Sequence, residues 1–438
     1  MRRNWIVGLV LLMTFFAGSA LAQTAQAPLT LAESIKMALE RSPGLHSAQM
    51  DILGSEFRRK EAITNFLPQW TGLYSYTKYS YQSFIGNLGA SSISSDAHRN
   101  VFNFGTTVEA PLYTGGANWA NYYLQKLGVD ISKVNVESVK LDTVLAVRVS
   151  YFSVLRTEKF VDTAKQAVKQ FEAQLDVAKA FFDVGIVAKN DVLQAEVRLA
   201  NAVQAQVRAE NDAALAKATF NTLLRRDVTI PVILVDILEY KPSAFLFEEC
   251  LQQALEQRPE IKAAELSVSQ AKETVKIARS GLLPTISIAG NYGRTSSDLT
   301  LEADSSSARW SLQTLATFTL FDWGNTYYKV GESKVKVTQA EDTKSQLVDR
   351  VTLEVQSAYL DVVNSEKNII VAQKSIEQAE ENQRMNEERY KYQVATATDV
   401  LDAVTLLAQA RVNYYGALSD YNTAIARLER NMGKKTYQ

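Results

Sequence analysis

The sequence predicts a membrane protein of mixed helix and strand content, made of two tandem halves that each combine long helices with a pair of strands. Three observations lead to this fold class. A segment without glycine or proline carries a heptad stripe of apolar residues, other stretches alternate with the two-residue period of strands long enough to cross a membrane, and both features occur once in each half.

The strongest helical signal lies between Glu332 and Tyr415, a segment that contains neither glycine nor proline. Apolar or small residues recur there at alternating spacings of three and four residues: Val348, Val351, Val355, Ala358, Val362, Ser365, Ile369, Ala372, Ile376 and Ala379. A strict seven-residue repeat keeps one side of a helix against a partner and implies left-handed supercoiling. We therefore expect a helix over about 328–392, roughly 95 Å long, in a tight helical wall. An extended soluble coiled coil is the alternative explanation.

The two halves of the chain are related by an internal repeat. The opening 31–43 matches 247–259, and Leu67-Pro68 matches Leu283-Pro284, each at an offset of 216 residues. Later motifs match at an offset of 208 residues: 112–116 with 320–324, the heptad stripe at 147–168 with 355–376, and 191–193 with 399–401. The difference, 216 − 208 = 8, is an eight-residue insertion in the first half, which an exposed loop accepts at little cost.

The repeat and the N-terminal composition divide the chain. Arg2 and Arg3 precede an apolar run over 6–17 and an Ala20-x-Ala22 pattern, which together are typical of a secretory signal peptide and too short to span a membrane. The predicted divisions are a signal peptide over 1–22, a first repeat over 23–228 with long helices to about 226, a linker over 229–245 with a short strand, a second repeat over 246–432, and a polar tail over 433–438.

In each half, the period of the apolar residues changes to two before the glycine motif. Phe102, Phe104 and Val108 alternate with mainly polar residues in the first half, and Trp310 and Leu312 open the same pattern in the second. With a partner upstream of each, the predicted strands lie at about 68–80, 100–113, 283–294 and 308–321. Aromatic residues near the strand ends are candidates for interfacial girdles: Trp70, Tyr113, Trp310, Phe321 and Trp323. Soluble hairpins with aromatic cores are the alternative.

Four strands cannot close into a barrel, and an open sheet edge is not tolerated in lipid because its backbone groups stay without hydrogen bonds. Several chains must therefore share one barrel. Closure needs about eight strands or more, so two copies would give eight strands and three would give twelve. The spacing of the sequence does not choose between these two assemblies.

Composition and motifs argue against several function classes. Lys plus Arg total 47 and Asp plus Glu total 48, which gives no basic surface for nucleic acid. Cys250 is the single cysteine, and His46 and His98 stand in dissimilar contexts, so neither a disulfide nor a zinc site is expected. Phosphate-binding loops and nucleophile elbows are missing from the sequence. We expect no catalytic residue, no cofactor and no metal, and energy must come from a partner.

The chemically distinctive residues lie where each long helix reverses. The first reversal is Val184 to Asn190 and the second is Gln393 to Thr398. Asn190 and Thr398 are predicted to cap the next helices, which places Asp191 and Asp399 in the first turn, where a negative charge is favourable. Asp402 lies on the same helical face as Asp399 but aligns with Gln194 in the first half. It is therefore an acid of the second half alone.

Taken together, these motifs resemble the TolC-like outer membrane efflux proteins over essentially the whole mature chain. The marks are the tandem halves, the Leu-x-x-x-Ile/Leu-x-x-Ala-Leu opening followed by proline, the Leu-Pro before each first strand, the glycine turns at 111–116 and 319–324, and Asp-Val-Leu-x-Ala at 191 and 399. Each mark is weak alone, and their combination is specific.

The resemblance implies a homotrimer in the outer membrane of a Gram-negative bacterium, with a large periplasmic portion. Each chain would give four strands to a twelve-stranded barrel and its helices to a periplasmic tunnel. The family works with a periplasmic adaptor protein and an inner-membrane RND or ABC transporter, in tripartite efflux or type I secretion, and is not enzymatic. A secreted coiled-coil stalk without a pore is the alternative, and it leaves the four strands unexplained.

By resemblance, Asp399, Asp402 and Tyr390 form a periplasmic constriction that opens when the partners engage. The two reversals are the family's adaptor-docking tips, here Val184, Gly185, Ile186, Val187, Ala188, Lys189, Val394, Ala395 and Thr396. Two positions depart from the family pattern. Ala395 stands where a basic residue can link neighbouring helices, and Gln393 replaces the glycine that Gly185 retains.

Overall fold

A computed structural model describes residues 28–80, 98–296, 299 and 308–436; the predicted signal peptide lies outside these residues. The order of elements is α-α-β-β-α-α, repeated twice. The bounds are α1 Leu31–Arg41, α2 Pro43–Thr64, β1 Gln69–Ser80, β2 His98–Thr114, α3 Ala117–Asp183, α4 Lys189–Leu223, α5 Phe247–Gln257, α6 Pro259–Ser280, β3 Thr285–Ser296, β4 Ala308–Thr317, α7 Asn325–Lys391 and α8 Ala397–Asn431. Among the helices so described, none has the length and apolar character needed to cross a bilayer.

The long helices α3 and α7 are equivalent in the repeat. Each has 67 residues, which corresponds to about 100 Å. Each begins after a glycine in the left-handed conformation, Gly116 with φ 83° and Gly324 with φ 81°. The chain turns out of the sheet at these glycines because a residue without a Cβ atom adopts positive φ readily.

The predicted heptad stripe is the buried face of α7, which packs on α6 and α8. Val351, Val355, Val362 and Ile369 are each exposed by 3% or less. The small stripe residues are also buried: Ala358, Ser365, Ala372 and Ala379. The first-half helix α3 packs on α2 and α4 of its own half and on α6 and α8 of the other. The contacts of α3 with α6 and α8, which we call the within-chain seam, therefore join the two repeats.

One antiparallel sheet contains all four strands in the order β1-β2-β3-β4, so β1 and β4 are its edges. The register aligns Trp70, Val108, Gly290 and Leu312 across the sheet. Residues an even number of positions away on the same strands lie on the same face, which is apolar and aromatic: Tyr74, Tyr76, Phe102, Phe104, Ile288, Tyr292 and Trp310. The opposite face is polar and is linked by side-chain hydrogen bonds between strands: Thr107 to Asn291 at 2.8 Å and Thr295 to Asn103 at 2.9 Å. This alternation agrees with the predicted strand pattern.

Two details of the sheet differ from the sequence prediction. β4 ends at Thr317 and not near residue 321, because its partner β3 begins at Thr285, directly after Pro284, and offers no further residue to pair with. In β2, a bulge between Pro111 and Tyr113 places Tyr113 opposite Ile286. Proline cannot donate to the ladder and is typically found at such bulges. The bulge brings Tyr113, and not Leu112, into the apolar row.

The linker between the halves is a strap and not a strand. Its predicted strand is reduced to a single parallel bridge between Leu29 and Leu234. Side chains tie the strap to three long helices: Lys159 of α3 bonds Asp236 at 2.6 Å, Tyr240 donates to Glu366 of α7 at 2.6 Å, and Tyr421 of α8 donates to the carbonyl of Lys241 at 2.8 Å. These contacts anchor the linker to α3, α7 and α8 without a neighbouring strand.

Candidate functional site

Each long helix ends in a tight reversal about 100 Å from the sheet; we call residues 184–188 and 392–396 the tip. Both reversals close with the two hydrogen bonds of a Schellman motif: Gly185 N–H to Phe182 O, Ile186 N–H to Phe181 O, Gln393 N–H to Tyr390 O, and Val394 N–H to Arg389 O, all at 2.8–2.9 Å. The left-handed residue is Gly185 in the first (φ 77°) and Gln393 in the second (φ 61°). The second reversal therefore keeps the same geometry without glycine.

The helices that leave the tip begin two residues earlier than predicted. The extended backbone that a cap requires occurs at Ala188, with ψ 154°, and at Thr396, with ψ 159°. Asn190 and Thr398, the caps predicted from the sequence, lie inside the first turns of α4 and α8. That prediction was wrong because the Schellman turns leave Ala188 and Thr396 as the next extended residues.

Asp399 takes part in a reciprocal cap at the start of α8. Its carboxylate accepts hydrogen bonds from the Thr396 N–H and the Thr396 hydroxyl, both at 2.8 Å, while its own N–H donates to that hydroxyl at 3.2 Å. The backbone bond first, and then the hydroxyl bond, hold the pKa of Asp399 below its ordinary value. At the aligned position in the first half, Asp191 follows Ala188, which has no side chain that can cap. A capping role thus accounts for Asp399 as far as a single chain shows.

Asp402 forms an ion pair with a residue that the sequence analysis did not single out. Its Oδ1 lies 2.7 Å from Nη2 of Arg198 on α4, and one turn closer to the tip the Thr398 hydroxyl donates to Oε1 of Gln194 at 2.9 Å. These two contacts link α4 to α8 across the halves. The signal in the sequence is weak: Arg198 aligns with the uncharged Leu406, but nothing local indicates its partner.

Tyr390 is buried at the end of α7, with 4% of its surface exposed. Its ring lies 5.5 Å from the ring of Phe181 on α3 and packs with Ala397 and Val400. Burial, and then the charge of Asp191, raise the pKa of Tyr390. Its hydroxyl has no hydrogen-bond partner within the described part of the chain. Of the three predicted constriction residues, Tyr390 is therefore the one inside the helix packing, whereas Asp399 and Asp402 are exposed.

The predicted docking residues form an apolar, exposed end of the molecule. Val184 is 69% exposed, Val394 66% and Ile186 45%. Among the others, Gly185, Ala188, Lys189 and Thr396 are exposed, and Val187 and Ala395 are half-buried. Exposed apolar side chains that cluster in one patch are typical of an interaction site.

The predicted girdle residues are all exposed, but they do not share one end of the sheet. Trp70, Tyr113, Phe321 and Trp323 lie where the chain meets the helices, and Trp310 lies towards the opposite end of the sheet, facing Tyr292. Exposure ranges from 42% for Tyr113 to 86% for Trp323. Two aromatic bands, one at each end of an apolar sheet face, are typical of a membrane barrel.

Comparison with known proteins identifies the family. The model of the outer membrane efflux protein family matches residues 34–224 and 250–434, which is one match for each half of the chain. The chain belongs to the outer membrane efflux protein family. A curated relative, the outer membrane efflux protein BepC of Brucella suis, is 22% identical over 335 residues, which cover 76% of this chain and 69% of BepC.

Solved structures of channels have the same fold. The CmeC outer membrane channel of Campylobacter jejuni superposes with a TM-score of 0.80 at 19% identity, over 92% of this chain and 85% of CmeC. The open state of the MtrE outer membrane channel of Neisseria gonorrhoeae gives 0.77 at 22% identity, over 93% and 90%. The predicted combination of a membrane β-barrel with a long helical barrel is thereby confirmed. Because the chain belongs to this family, it is an efflux channel of the outer membrane, it has a periplasmic portion, and it is not an enzyme.

Proposed function

We propose that three copies of this chain form an outer-membrane exit duct, gated at its tip, that conducts substrates from the periplasm or cytoplasm to the outside. It works with a periplasmic adaptor protein and an inner-membrane RND or ABC transporter. The observation that carries this proposal is the four-stranded sheet with an apolar face and two edges, β1 and β4. Such a sheet is satisfied in lipid only when other copies complete it.

The sheet favours three copies over two. β4 of one copy pairs with β1 of the next, so each added copy contributes four strands. A barrel of about eight strands has an interior that side chains fill, which leaves no duct, whereas twelve strands enclose a wider lumen. The polar face with Asn103, Thr107 and Asn291 lines this lumen, and the apolar face contacts lipid.

The internal repeat supports a specific seam between copies. Within the chain, α3 lies against α6 and α8. The repeat maps α3 onto α7, α6 onto α2 and α8 onto α4. A ring of equivalent repeats therefore places α7 of one copy against α2 and α4 of the next, which we call the between-chain seam.

A groove and an exposed leucine match this arrangement. Phe152 on α3 is 3% exposed in the within-chain seam, whereas its equivalent on α7, Leu360, is 52% exposed. An open groove of about 1330 Å³ is lined by the start of α2, by α3 and by the end of α4. The between-chain seam requires a surface at this place that receives α7 of the next copy. Its lining is mainly apolar or small, including Leu145, Leu215 and Ala216. Leu360 of a second copy packs into this groove.

The gate consists of the contacts that hold α8 to its neighbours at the tip. Arg198 with Asp402 and Gln194 with Thr398 link α8 to α4, and Tyr390 packs on Phe181. Three copies bring the exposed Asp399 and Asp402 into a constriction, and the buried Tyr390 holds the helices that form it. Opening requires α8 to separate from α4, so these polar contacts must break. The Arg198–Asp402 ion pair and the Gln194–Thr398 hydrogen bond are both exposed. Exposed ion pairs contribute little to stability, as expected of contacts that a partner must break.

The exposed apolar tip is the docking surface for the adaptor. Val184 and Ile186 in the first reversal and Val394 in the second present exposed apolar side chains. Gly185 has open space around it, so a substitution there changes the surface without a clash inside the chain. Gly185→Arg is expected to abolish efflux while trimers still form.

Disulfide cross-linking tests the assembly. Ser419 donates to the backbone oxygen of Phe152 at 3.4 Å within the chain, and the equivalent pair between copies is Asn211 with Leu360. In a Cys250→Ala background, Leu360→Cys with Asn211→Cys should give covalent dimers and trimers on a non-reducing gel. The detergent-corrected mass of the native particle should equal three chains.

The control pairs Leu360→Cys with Val197→Cys. Val197 is 60% exposed on the same helix as Asn211 but about 21 Å further along it, so no cross-link between copies is expected. A particle of one chain, or equal cross-linking of both pairs, would contradict the proposed trimer.

A further inference from the structure

The ion pair between Arg198 and Asp402 joins two residues that break the internal repeat. The first-half equivalent of Asp402 is Gln194, and the second-half equivalent of Arg198 is Leu406. Each charge is thus absent from the other half, yet the fold places Arg198 Nη2 2.7 Å from Asp402 Oδ1. Symmetry between the repeats does not produce this pair, so it distinguishes the second-half tip of this chain.

Without compensating groups, the Asp399 and Asp402 carboxylates of three copies would form acidic rings at the constriction. The structure gives each carboxylate a compensating group. Asp399 accepts two hydrogen bonds from Thr396 at the N-terminus of α8, where the helix dipole offsets a negative charge. Asp402 has the guanidinium of Arg198. The proposed constriction therefore carries three Arg–Asp pairs and not three free aspartates.

We propose that Arg198 cancels the charge of Asp402 at the constriction and thereby determines the ion selectivity of the duct. This inference rests on the proposed function, which brings three copies of Asp402 together at the tip. Rings of free carboxylates select for cations and bind multivalent cations. A carboxylate with a guanidinium in contact acts at a distance as a dipole, and its attraction for a passing cation falls off much faster than that of a single charge.

Removing the guanidinium should change selectivity without unfolding the tip. The Arg198 and Asp402 side chains are 41% and 53% exposed, and an exposed ion pair contributes little to stability. Coulomb attraction between a trivalent cation and one uncompensated carboxylate about 6 Å away, in water, corresponds to roughly tenfold or more in binding. Three such carboxylates act together in the trimer, and salt reduces the effect.

The experiment measures purified trimers in planar bilayers at low salt. Reversal potential in a potassium chloride gradient reports cation over anion selectivity, and hexaamminecobalt(III) chloride is the blocking probe. Wild-type protein should select weakly and block weakly. Arg198→Gln should become cation-selective and block at a concentration at least about tenfold lower. Arg198→Lys should resemble the wild type, and Asp402→Asn should shift towards anions because Arg198 then lacks a counter-charge.

Lys217→Gln is the matched control. Lys217 lies on the same helix as Arg198 and pairs with Glu158 at 2.7 Å, about 28 Å from Arg198 along α4. This variant makes the same change in net charge away from the tip and should leave selectivity and block unchanged. The double variant Arg198→Gln with Asp402→Asn should lose the block that Arg198→Gln gains.

The outcomes separate this inference from the proposed function. A wild-type trimer that conducts while Arg198→Gln keeps wild-type selectivity and block would overturn the role of Arg198 and leave the duct intact. The same change in Lys217→Gln as in Arg198→Gln would overturn it too, because net charge would then be sufficient. A wild-type protein that neither trimerises nor conducts would remove the proposed function itself.

Discussion

Replacing Gln393 with glycine is expected to stabilise the second reversal. Gln393 adopts a φ of 61° in the same Schellman hydrogen-bond pattern in which Gly185 has 77°. The left-handed conformation costs a residue with a Cβ atom about 1–2 kcal/mol. Glycine gives back about 0.4–1 kcal/mol through the greater freedom of the unfolded chain. The net gain for Gln393→Gly is therefore about 0.5–1 kcal/mol in the free energy of local opening.

The reciprocal substitution, Gly185→Gln, is the internal control. No atom outside the immediate chain lies within 4 Å of a Cβ atom placed on Gly185, so the substitution adds no clash and its cost is conformational alone. We expect the first reversal to lose about the same 0.5–1 kcal/mol that the second gains. The repeat thus offers the same turn with both residue types in one molecule.

Hydrogen exchange of the native trimer, followed by mass spectrometry on tip peptides, measures these local changes. The amides of Gln393 and Val394 should exchange about two- to fivefold more slowly in Gln393→Gly, and those of Gly185 and Ile186 correspondingly faster in Gly185→Gln. Wild-type rates in both variants, at equal trimer yield, would refute the claim that positive φ limits local opening at the tip.

Two further predictions concern Glu429, which is half-buried, and Tyr390, which is buried. Arg148 and Lys434 hold the pKa of Glu429 below its ordinary value against the opposing effect of burial, so its stabilisation is present at neutral pH and lost as pH falls below about 4.3 through the folded pKa. Glu429→Gln should cost about 1.5–3 kcal/mol at neutral pH, because the half-buried Arg148 loses its charged hydrogen-bond partner, and should flatten acid unfolding followed by circular dichroism. Tyr390→Phe removes a buried hydroxyl that has no hydrogen-bond partner among the described residues. Hydrogen exchange of the amides at the end of α7 should therefore be unchanged, or slower by up to about fivefold, which corresponds to about 1 kcal/mol. Faster exchange would indicate that the hydroxyl forms a hydrogen bond in the trimer.

The fold was largely predictable because its signals are periodic. The heptad stripe through Val355 and Ile369 indicated the long helix and its buried face, and the alternation around Phe104 and Leu312 indicated the strands and their apolar side. The repeat then related the halves. These features depend on spacing along one chain, which a sequence displays directly.

The corrections concern interactions that spacing does not display. β4 stops at Thr317 because of where its partner strand begins, and the cap lies at Thr396 because of how the preceding turn closes. The pairing of Arg198 with Asp402 depends on the register of α4 against α8. The two residues are 204 positions apart in the sequence. A long-range register of this kind follows from tertiary packing and has no local signature.

The two seams of the repeat differ in charge, and this difference bears on how a trimer forms. Arg430 crosses the within-chain seam to Asp142 at 2.7 Å and lies 2.6 Å from Glu260. Beside this seam, Arg258 lies between Glu260 and Glu354 of α7. The first-half equivalents of Arg258, Glu260, Glu354 and Arg430 line the groove of the between-chain seam and are uncharged: Ser42, Gly44, Ala146 and Thr222. The groove has charged residues at other positions, Asp142, Asp212, Arg225 and Arg427, and the equivalent of Asp142 on α7 is Arg350.

Buried charges are costly unless their partners are in place, whereas an apolar groove can stay hydrated until a second copy covers it. The charged seam joins two parts of one chain, so its partners are always present together at high effective concentration. The seam that lacks this ion-pair network is the one that must wait for another molecule. On the proposed assembly, each chain therefore closes its own seam first, and the groove that receives Leu360 is complete before a neighbour arrives. Divergence between the repeats thus gives the Arg258–Glu260–Glu354–Arg430 network to the seam whose association is intramolecular, and uncharged residues to the equivalent positions of the other seam.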